Sequence, residues 1–273
     1  MKRISTATKI SVLLLAGFLS VSLVSCFKNP VTGRSSLNIV GEGELRSMAN
    51  NQYASFLSEN KPMQGTRDVE MVKRVGDKMA KAVTQYLASR GQQNLISGYQ
   101  WEFNLVNENQ VNAWCMPGGK VVVYTGIMPV AQTETGLAVI MGHEIAHAIA
   151  RHGNERMSQQ MVAQAGGVTL SALLSTKPAQ AQQLFNAAYG VGSQLGVLAY
   201  SRSHESEADR MGLIFMAMAG YNPNEAVNFW GRMAALSGGQ APPEFLSTHP
   251  SNQRRINDIK GLLPEAMKYY KPQ

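Results

Sequence analysis

The sequence predicts an α+β protein that is mainly helical and contains one small sheet of about three strands. Apolar residues recur at helical spacing through most of the chain, whereas alternating and β-branched runs are confined to residues 101–124. The strongest helical pattern also contains an HExxH motif at residues 143–147, which predicts that one buried helix carries the chemistry.

Composition and charge exclude several classes of protein. The chain has 273 residues, of which 44% are apolar and 16% charged, as in a folded domain and unlike a disordered chain or a coiled coil. Its net charge is +7, but the first 25 residues hold three bases and no acid, so the remainder carries +4. An excess this small is poor evidence for nucleic-acid binding, and we expect no nucleic-acid partner. Two cysteines cannot build a disulfide framework.

The N-terminus has the pattern of a bacterial lipoprotein signal peptide. Basic residues precede an apolar run, residues 10–24, which is short for a membrane-spanning helix. The run ends in LVSC, where Cys26 has the position of the cysteine that receives lipid. We expect residues 1–25 to be removed and Cys26 to be lipidated. An uncleaved anchor helix with an incidental cysteine is the alternative, and either would hold the chain to a membrane of the bacterial cell envelope.

Residues 26–43 contain Pro, Gly and Ser without helical periodicity and are predicted to be a lipidated tether. Phe27 differs from the aspartate associated with inner-membrane retention, which favours the outer membrane facing the periplasm. With Cys26 lipidated, Cys115 has no partner within the chain and is expected to be a buried free thiol.

Residues 44–273 are predicted to form one domain. Apolar periodicity indicates helices over 42–59 and 68–90. Alternating residues 101–106 and the β-branched run 120–124 then indicate strands. An extended peptide is expected to lie against an exposed strand of residues 111–124. Further helices are expected over residues 133–152, 154–174, 179–200, 203–219, 222–236 and 251–262.

The HExxH motif consists of His143, Glu144 and His147. Residues four apart lie on one face of a helix, so both imidazoles can reach one metal ion, while Glu144 lies beside that ion. The flanking residues are apolar and small, which favours a buried active-site helix over two histidines without a metal. The motif predicts two zinc ligands and an adjacent carboxylate that takes a proton from water at the ion.

A catalytic zinc ion needs a third protein ligand and an open position. The pattern HExxHxxGxxH would supply that ligand from the same segment, but Ala150 and Gly153 exclude it. The best candidate is Glu205, with a surface helix acid as the alternative. Asp209, four residues later, can face the same helix and accept an imidazole N–H. Glu207 lies between them and is expected to be a solvated surface carboxylate.

The HExxH motif, followed by SRxxExxAD at residues 201–209, resembles zinc metallopeptidase family forty-eight, and within it the lipoprotein or periplasmic branch. Further likeness lies in residues 29–34 (NPVTGR), 112–121 (NAWCMPGGKV) and 248–256 (THPSNQRRI), so the resemblance covers most of residues 27–262. It implies a zincin-like metallopeptidase domain.

The resemblance implies that His143, His147 and Glu205 bind one Zn²⁺ per chain. It also implies that Glu144 is the general base on water at the ion. Asp209 would support the site or donate a proton, and its position four residues from a ligand is better suited to orienting that site.

Two later residues leave alternatives open. His249 could approach the metal, either to stabilise the oxyanion or to occupy the open position and keep the enzyme latent. Alternatively, it could simply pack beside Pro250 at a helix N-terminus, although the resemblance favours a functional role. Arg255 could bind the oxyanion or the substrate carbonyl, or pair with an acid on the closing helix, and the pairing is slightly favoured.

The leading hypothesis is a membrane-tethered zinc metalloendopeptidase that hydrolyses peptide bonds in misfolded or unassembled envelope proteins. A chaperone-like envelope assembly factor with a latent zinc site is the alternative. A structural zinc protein is a third hypothesis, because Cys115 or His249 could complete a closed site of four ligands. The sequence has no signature of an oligomeric state.

Overall fold

The computed structural model describes residues 26–164, 178–189, 200–236, 244–249 and 253–272, and most of them are helical. A three-stranded sheet lies among the helices, which confirms the predicted fold class. In chain order the elements are β1 (Cys26–Lys28), β2 (Ser35–Leu37), α1 (Glu42–Glu59), α2 (Arg67–Ser89), β3 (Glu102–Val106), β4 (Ala113–Met116), β5 (Lys120–Tyr124), α3 (Met128–Ala131), α4 (Glu134–Ile149), α5 (His152–Gln164), α6 (Pro178–Tyr189), α7 (Arg202–Met218), α8 (Glu225–Leu236), α9 (Glu244–Thr248) and α10 (Gln253–Ala266).

The three-stranded sheet has the order β3-β5-β4, with β3 parallel and β4 antiparallel to the central β5. Along β5, Val121 and Val123 join one hydrophobic cluster, whereas Val122 and Tyr124 join another. This burial on both faces explains why β5 is a continuous apolar run. Because β5 pairs on both sides, β3 and β4 are the edge strands of this sheet. Of the two strands within residues 111–124, only β4 has an edge without a strand partner in the described part of the chain.

Helices cover both faces of the sheet. The larger cluster includes the buried apolar stripe of α2, most of α4, and six apolar residues of α7 between Ala208 and Met216. The smaller cluster joins α1, α5 and α6 through side chains such as Tyr53, Phe56, Met157 and Phe185. Helix α4, which carries the HExxH motif, therefore lies inside the domain, where its residues from Gly136 onward are buried.

Helices α4 and α7 cross at two glycines. A Cβ atom on Gly212 would lie 2.9 Å from the carbonyl carbon of Gly142 and 2.9 Å from the backbone nitrogen of His143. Only a residue without a side chain permits this approach. The crossing brings the first turns of α7, which carry Glu205 and Asp209, against the HExxH face of α4.

Most predicted boundaries agree with the structure to within a few residues. The helix predicted over 133–152 instead ends at Ile149, because Arg151 has a left-handed φ of 58°, and α5 begins at His152. Parts of the helices predicted over 154–174 and 179–200 lie outside the described residues. Among those described, no helix is both long and apolar enough to cross a bilayer.

Residues 26–43, which the composition predicts to be a tether, are folded against the domain. Strand β1 pairs antiparallel with β2, Phe27 is buried, and α1 begins at Glu42. The side chain of Asn29 accepts hydrogen bonds from the backbone of Val31 and Thr32, which builds the turn between the strands. This local hydrogen bonding folds a segment whose composition indicates only a loop.

Candidate metal centre

The two histidines of the HExxH motif meet on one face of α4. The side chain of Thr133 caps this helix by accepting a hydrogen bond from the backbone of Gly136. The Nε2 atoms of His143 and His147 lie 3.0 Å apart, and both side chains are buried. The structure therefore brings together two nitrogen donors four residues apart.

Glu205 approaches this pair from the first turn of α7, which Ser201 caps. Its Oε2 atom lies 3.5 Å from Nε2 of His143, and its Oε1 atom lies 3.3 Å from Nε2 of His147. The carboxylate is buried. The close crossing of α4 and α7 brings it to the two histidines as a third donor.

His249 supplies a fourth donor from the segment that follows α9. Its Nδ1 atom lies 2.9 Å from Oε1 of Glu205 and 3.3 Å from Nε2 of His143. All four donor atoms lie within 4.8 Å of one another. Cys115 is a buried free thiol, as predicted, and does not belong to this group.

These donors fit a zinc ion. With Zn–N bonds of 2.0–2.1 Å, neighbouring ligand atoms of a tetrahedral site lie about 3.3 Å apart. The quoted separations among the Nε2 atoms of His143 and His147, the two carboxylate oxygens of Glu205 and Nδ1 of His249 range from 2.9 to 3.5 Å, and the whole group lies within 4.8 Å. Imidazole and carboxylate donors are also those that zinc accepts.

Glu144 lies beside the donors and has an unusual environment. Its side chain is buried, and its Oε1 atom has no hydrogen-bond partner in the described part of the chain. Nε2 of His249 lies 3.8 Å from this oxygen. Burial raises the pKa of Glu144, which makes the carboxylate a better proton acceptor.

Asp209 and Arg255 support His143. The Oδ1 atom of Asp209 lies 3.0 Å from Nδ1 of His143, on the ring side opposite the other donors. Arg255 donates two hydrogen bonds to Asp209 and lies 2.7 Å from Oε2 of Glu205. Its guanidinium also stacks on Trp230. Arg255 thus pairs with acids, but these acids lie on α7 in the site and not on the closing helix α10, where the prediction placed them.

For His143 and Glu205, nearby charges shift the pKa in the direction opposite to burial. Burial would lower the pKa of His143, but the negative charges of Glu205 and Asp209 raise it to about 9. The pKa of His147 falls well below its usual value because burial dominates there. Burial would raise the pKa of Glu205, yet the nearby His249 and Arg255 lower it well below the usual range. The carboxylate is thus ionised and ready to bind a cation.

Glu207 is not a solvated surface carboxylate, which corrects the prediction. Only 5% of the residue is exposed, and its Oε2 atom lies 2.9 Å from Nε2 of His152. Arg34 and Thr32 donate further hydrogen bonds to it. Glu207 does point away from the metal centre, but α5 and the N-terminal hairpin cover that side of α7.

His152 is a site residue that sequence reasoning missed. Its Nδ1 atom lies 2.8 Å from Nδ1 of His147, and the ring is fully buried. Burial lowers the pKa of His152 to about 4, so the ring is neutral near pH 7. In an uninterrupted helix, residues five apart point about 140° away from each other. The left-handed conformation of Arg151 interrupts the helix, and the ring of His152 therefore lies against His147.

Sequence comparison connects this centre with known proteins. Residues 71–263 match the family model of Peptidase family M48. The mitochondrial metalloendopeptidase OMA1 of Schizosaccharomyces pombe is 32% identical over 238 residues, which cover 87% of this chain and 66% of that protein. The mitochondrial metalloendopeptidase OMA1 of Bos taurus is 32% identical over 250 residues, covering 88% of this chain and 46% of its own length.

A bacterial relative is similar over a shorter range. The beta-barrel assembly-enhancing protease of Yersinia pestis is 32% identical over 186 residues, which cover 65% of this chain and 38% of that protein. This chain thus spans between about a third and two thirds of the length of these relatives. The relatives include mitochondrial and bacterial proteins, so they support no single branch. The family match extends over most of the chain and contains both ligand-bearing helices, and the protein therefore belongs to Peptidase family M48.

Proposed function

We propose that this protein is a zinc-dependent metalloendopeptidase. The observation that carries the proposal is the position of Glu144, a buried carboxylate beside the donors His143, His147 and Glu205. A zinc ion bound there supplies Lewis acidity, which polarises the scissile carbonyl and lowers the pKa of water. The names of the relatives, which are metalloendopeptidases and a protease, support the same activity.

The residues of the chain divide the work of hydrolysis. Glu144 accepts a proton from the attacking water and delivers it to the leaving amine, and its raised pKa favours the first of these transfers. Asp209 orients His143 through the contact at Nδ1. Buried positive charge from Arg255 lies close to these groups and opposes the negative charge that develops on the substrate oxygen.

The sheet suggests how a peptide binds. Strand β4 pairs only with β5 among the described strands and packs against α4, and we propose that its other edge, which has no strand partner there, pairs with an extended peptide. Main-chain hydrogen bonds to such an edge make few demands on side chains. We propose that misfolded or unassembled envelope proteins are the substrates. The name of the Yersinia pestis relative, a beta-barrel assembly-enhancing protease, supports this class.

We propose further that a lipid on Cys26 holds the protein in the bacterial cell envelope, at the outer membrane facing the periplasm. The lipobox pattern supports this placement, and Cys26 is an exposed free thiol at the start of β1. The N-terminal peptide of the protein isolated from bacterial membranes is expected to start at Cys26 and to carry the mass of attached acyl chains. An unmodified Cys26 in that peptide would contradict the lipid anchor.

His249 supports a second, latent state. Its Nδ1 atom has the position of a fourth ligand, and a site closed by four protein ligands leaves no place for water. In that state the protein would bind unfolded envelope proteins without cutting them, as a chaperone-like assembly factor. Movement of His249 away from the donors would convert this state into the peptidase.

Cleavage of casein by the full chain tests both states. We expect the zinc-loaded wild-type protein to cut casein slowly and His249→Ala to cut it faster, because the substitution opens a coordination position. Removing zinc with a chelator should abolish cleavage by both proteins, and adding zinc should restore it.

The other outcomes discriminate among the hypotheses. A loss of activity in His249→Ala with zinc still bound would indicate that His249 assists catalysis directly. No cleavage by either zinc-loaded protein would contradict the peptidase and favour a structural zinc site.

A further inference from the structure

The hairpin that follows Cys26 is connected to a metal ligand through a chain of buried side chains. We propose, on the basis of the zinc site proposed above, that His152 and Arg34 are positioning residues that hold the ring of His147 in its ligand orientation. Zinc affinity then depends on the hairpin being docked on the domain.

The direction of the hydrogen bonds follows from the ligand chemistry. Nε2 of His147 faces the other donors and needs its lone pair for the metal, so the proton of this ring lies on Nδ1. That proton is donated to Nδ1 of His152, 2.8 Å away. The proton of His152 must then lie on Nε2, which donates to Oε2 of Glu207 at 2.9 Å. Each link therefore has one donor and one acceptor.

Arg34 lies at the end of this series of hydrogen bonds and holds the carboxylate of Glu207 in place. Its Nε atom donates to Oε2 of Glu207 at 2.8 Å, and Thr32 donates to the other oxygen. The two terminal nitrogens of Arg34 donate to Glu155 at 2.8 and 2.7 Å. Glu155 lies on α5 with His152, whereas Glu207 lies on α7, so Arg34 joins both helices.

The hairpin holds Arg34 in place. Strand pairing between Cys26 and Leu37 closes it, and the turn at Asn29 and the left-handed Gly33 (φ 74°) lead directly into Arg34. The side chain of Arg34 is 30% exposed, whereas that of Glu207 is 4% exposed. The hairpin thus brings a positive charge to a carboxylate that the fold has otherwise removed from water.

The other histidine ligand, His143, has a matching arrangement, which supports the inference that the hydrogen-bonded side chains behind His147 serve the metal. Asp209 contacts Nδ1 of His143, and Arg255 clamps Asp209 with two hydrogen bonds. Both ligand imidazoles are therefore held at Nδ1 by a group that depends on an arginine–carboxylate pair. For His147 the pair is Glu207 with Arg34 of the N-terminal hairpin. His152 connects this pair to His147 by hydrogen bonds.

Zinc affinity of the full chain, measured by competition with a chromophoric chelator, tests the proposal. His152→Leu is expected to weaken zinc binding by roughly 10–100-fold, and Arg34→Gln by about 10-fold. His152→Gln should recover most of the affinity, because its amide can accept from His147 and donate to Glu207. Arg210→Gln is the matched control, since the side chain of Arg210 is about as exposed as that of Arg34 and makes a two-bond pair with the more exposed Glu265.

A second measurement separates positioning from loss of stability. In the cobalt-substituted protein, His152→Leu and Arg34→Gln should alter the visible absorption bands, whereas Arg210→Gln should leave them unchanged. Wild-type zinc affinity and unchanged cobalt bands in Arg34→Gln would overturn the proposal, and this partly exposed position decides the matter if His152→Leu does not fold. A wild-type protein that binds no zinc would instead overturn the proposed function.

Discussion

Replacing Glu144 with glutamine is expected to reduce peptide hydrolysis by roughly 10²–10⁴-fold, the usual contribution of a general base. Glutamine has the shape of glutamate but cannot accept the proton of the attacking water. Glu144 lies beside the donor group and is not one of its four members, so zinc binding should persist. The expected result is therefore a protein that retains its metal and loses its activity.

The measurement is best made in the His249→Ala background, where we expect the coordination position to be open and activity to be highest. Casein cleavage and zinc content are compared between His249→Ala and the double variant. Asp258→Asn is a suitable control, because Asp258 forms only a loose, exposed pair with Arg254. Full cleavage by a zinc-loaded double variant would remove Glu144 from the mechanism.

The donors His143, His147 and Glu205 could be predicted because the signals within each helix are local. Spacings of four residues place His143 with His147 and Glu205 with Asp209, and helix geometry alone then gives each pair a common face. The alternation and β-branching of residues 101–124 predict the sheet in the same way. These features depend on neighbours within a turn of helix or a few residues of strand.

The contacts of Glu207, Arg34 and His152, which support the site, could not be predicted in this way. Periodicity shows that Glu207 points away from the metal, but not that α5 and the hairpin cover that side of α7. Arg34 reaches Glu155 and Glu207 across 121 and 173 residues of sequence. His152 contacts His147 because Arg151 adopts a left-handed conformation, which no helical pattern indicates.

Adding a single methyl group at Gly212 is expected to destabilise the protein and weaken zinc binding. In Gly212→Ala the new Cβ would lie 2.9 Å from backbone atoms of Gly142 and His143, so α4 and α7 must move apart. Such overpacking costs about 1–3 kcal/mol. The same movement withdraws Glu205 from His143 and His147, because α4 carries the histidines and α7 carries the carboxylate.

The matched control is Gly261→Ala on α10, where a Cβ atom meets nothing within 4 Å. Alanine favours a helix over glycine by up to about 1 kcal/mol, so this variant should be as stable as the wild type or slightly more stable. Urea unfolding of the metal-free proteins and zinc competition would measure both effects. Equal zinc affinity in Gly212→Ala and Gly261→Ala would mean that the helix crossing does not set the separation of the ligands.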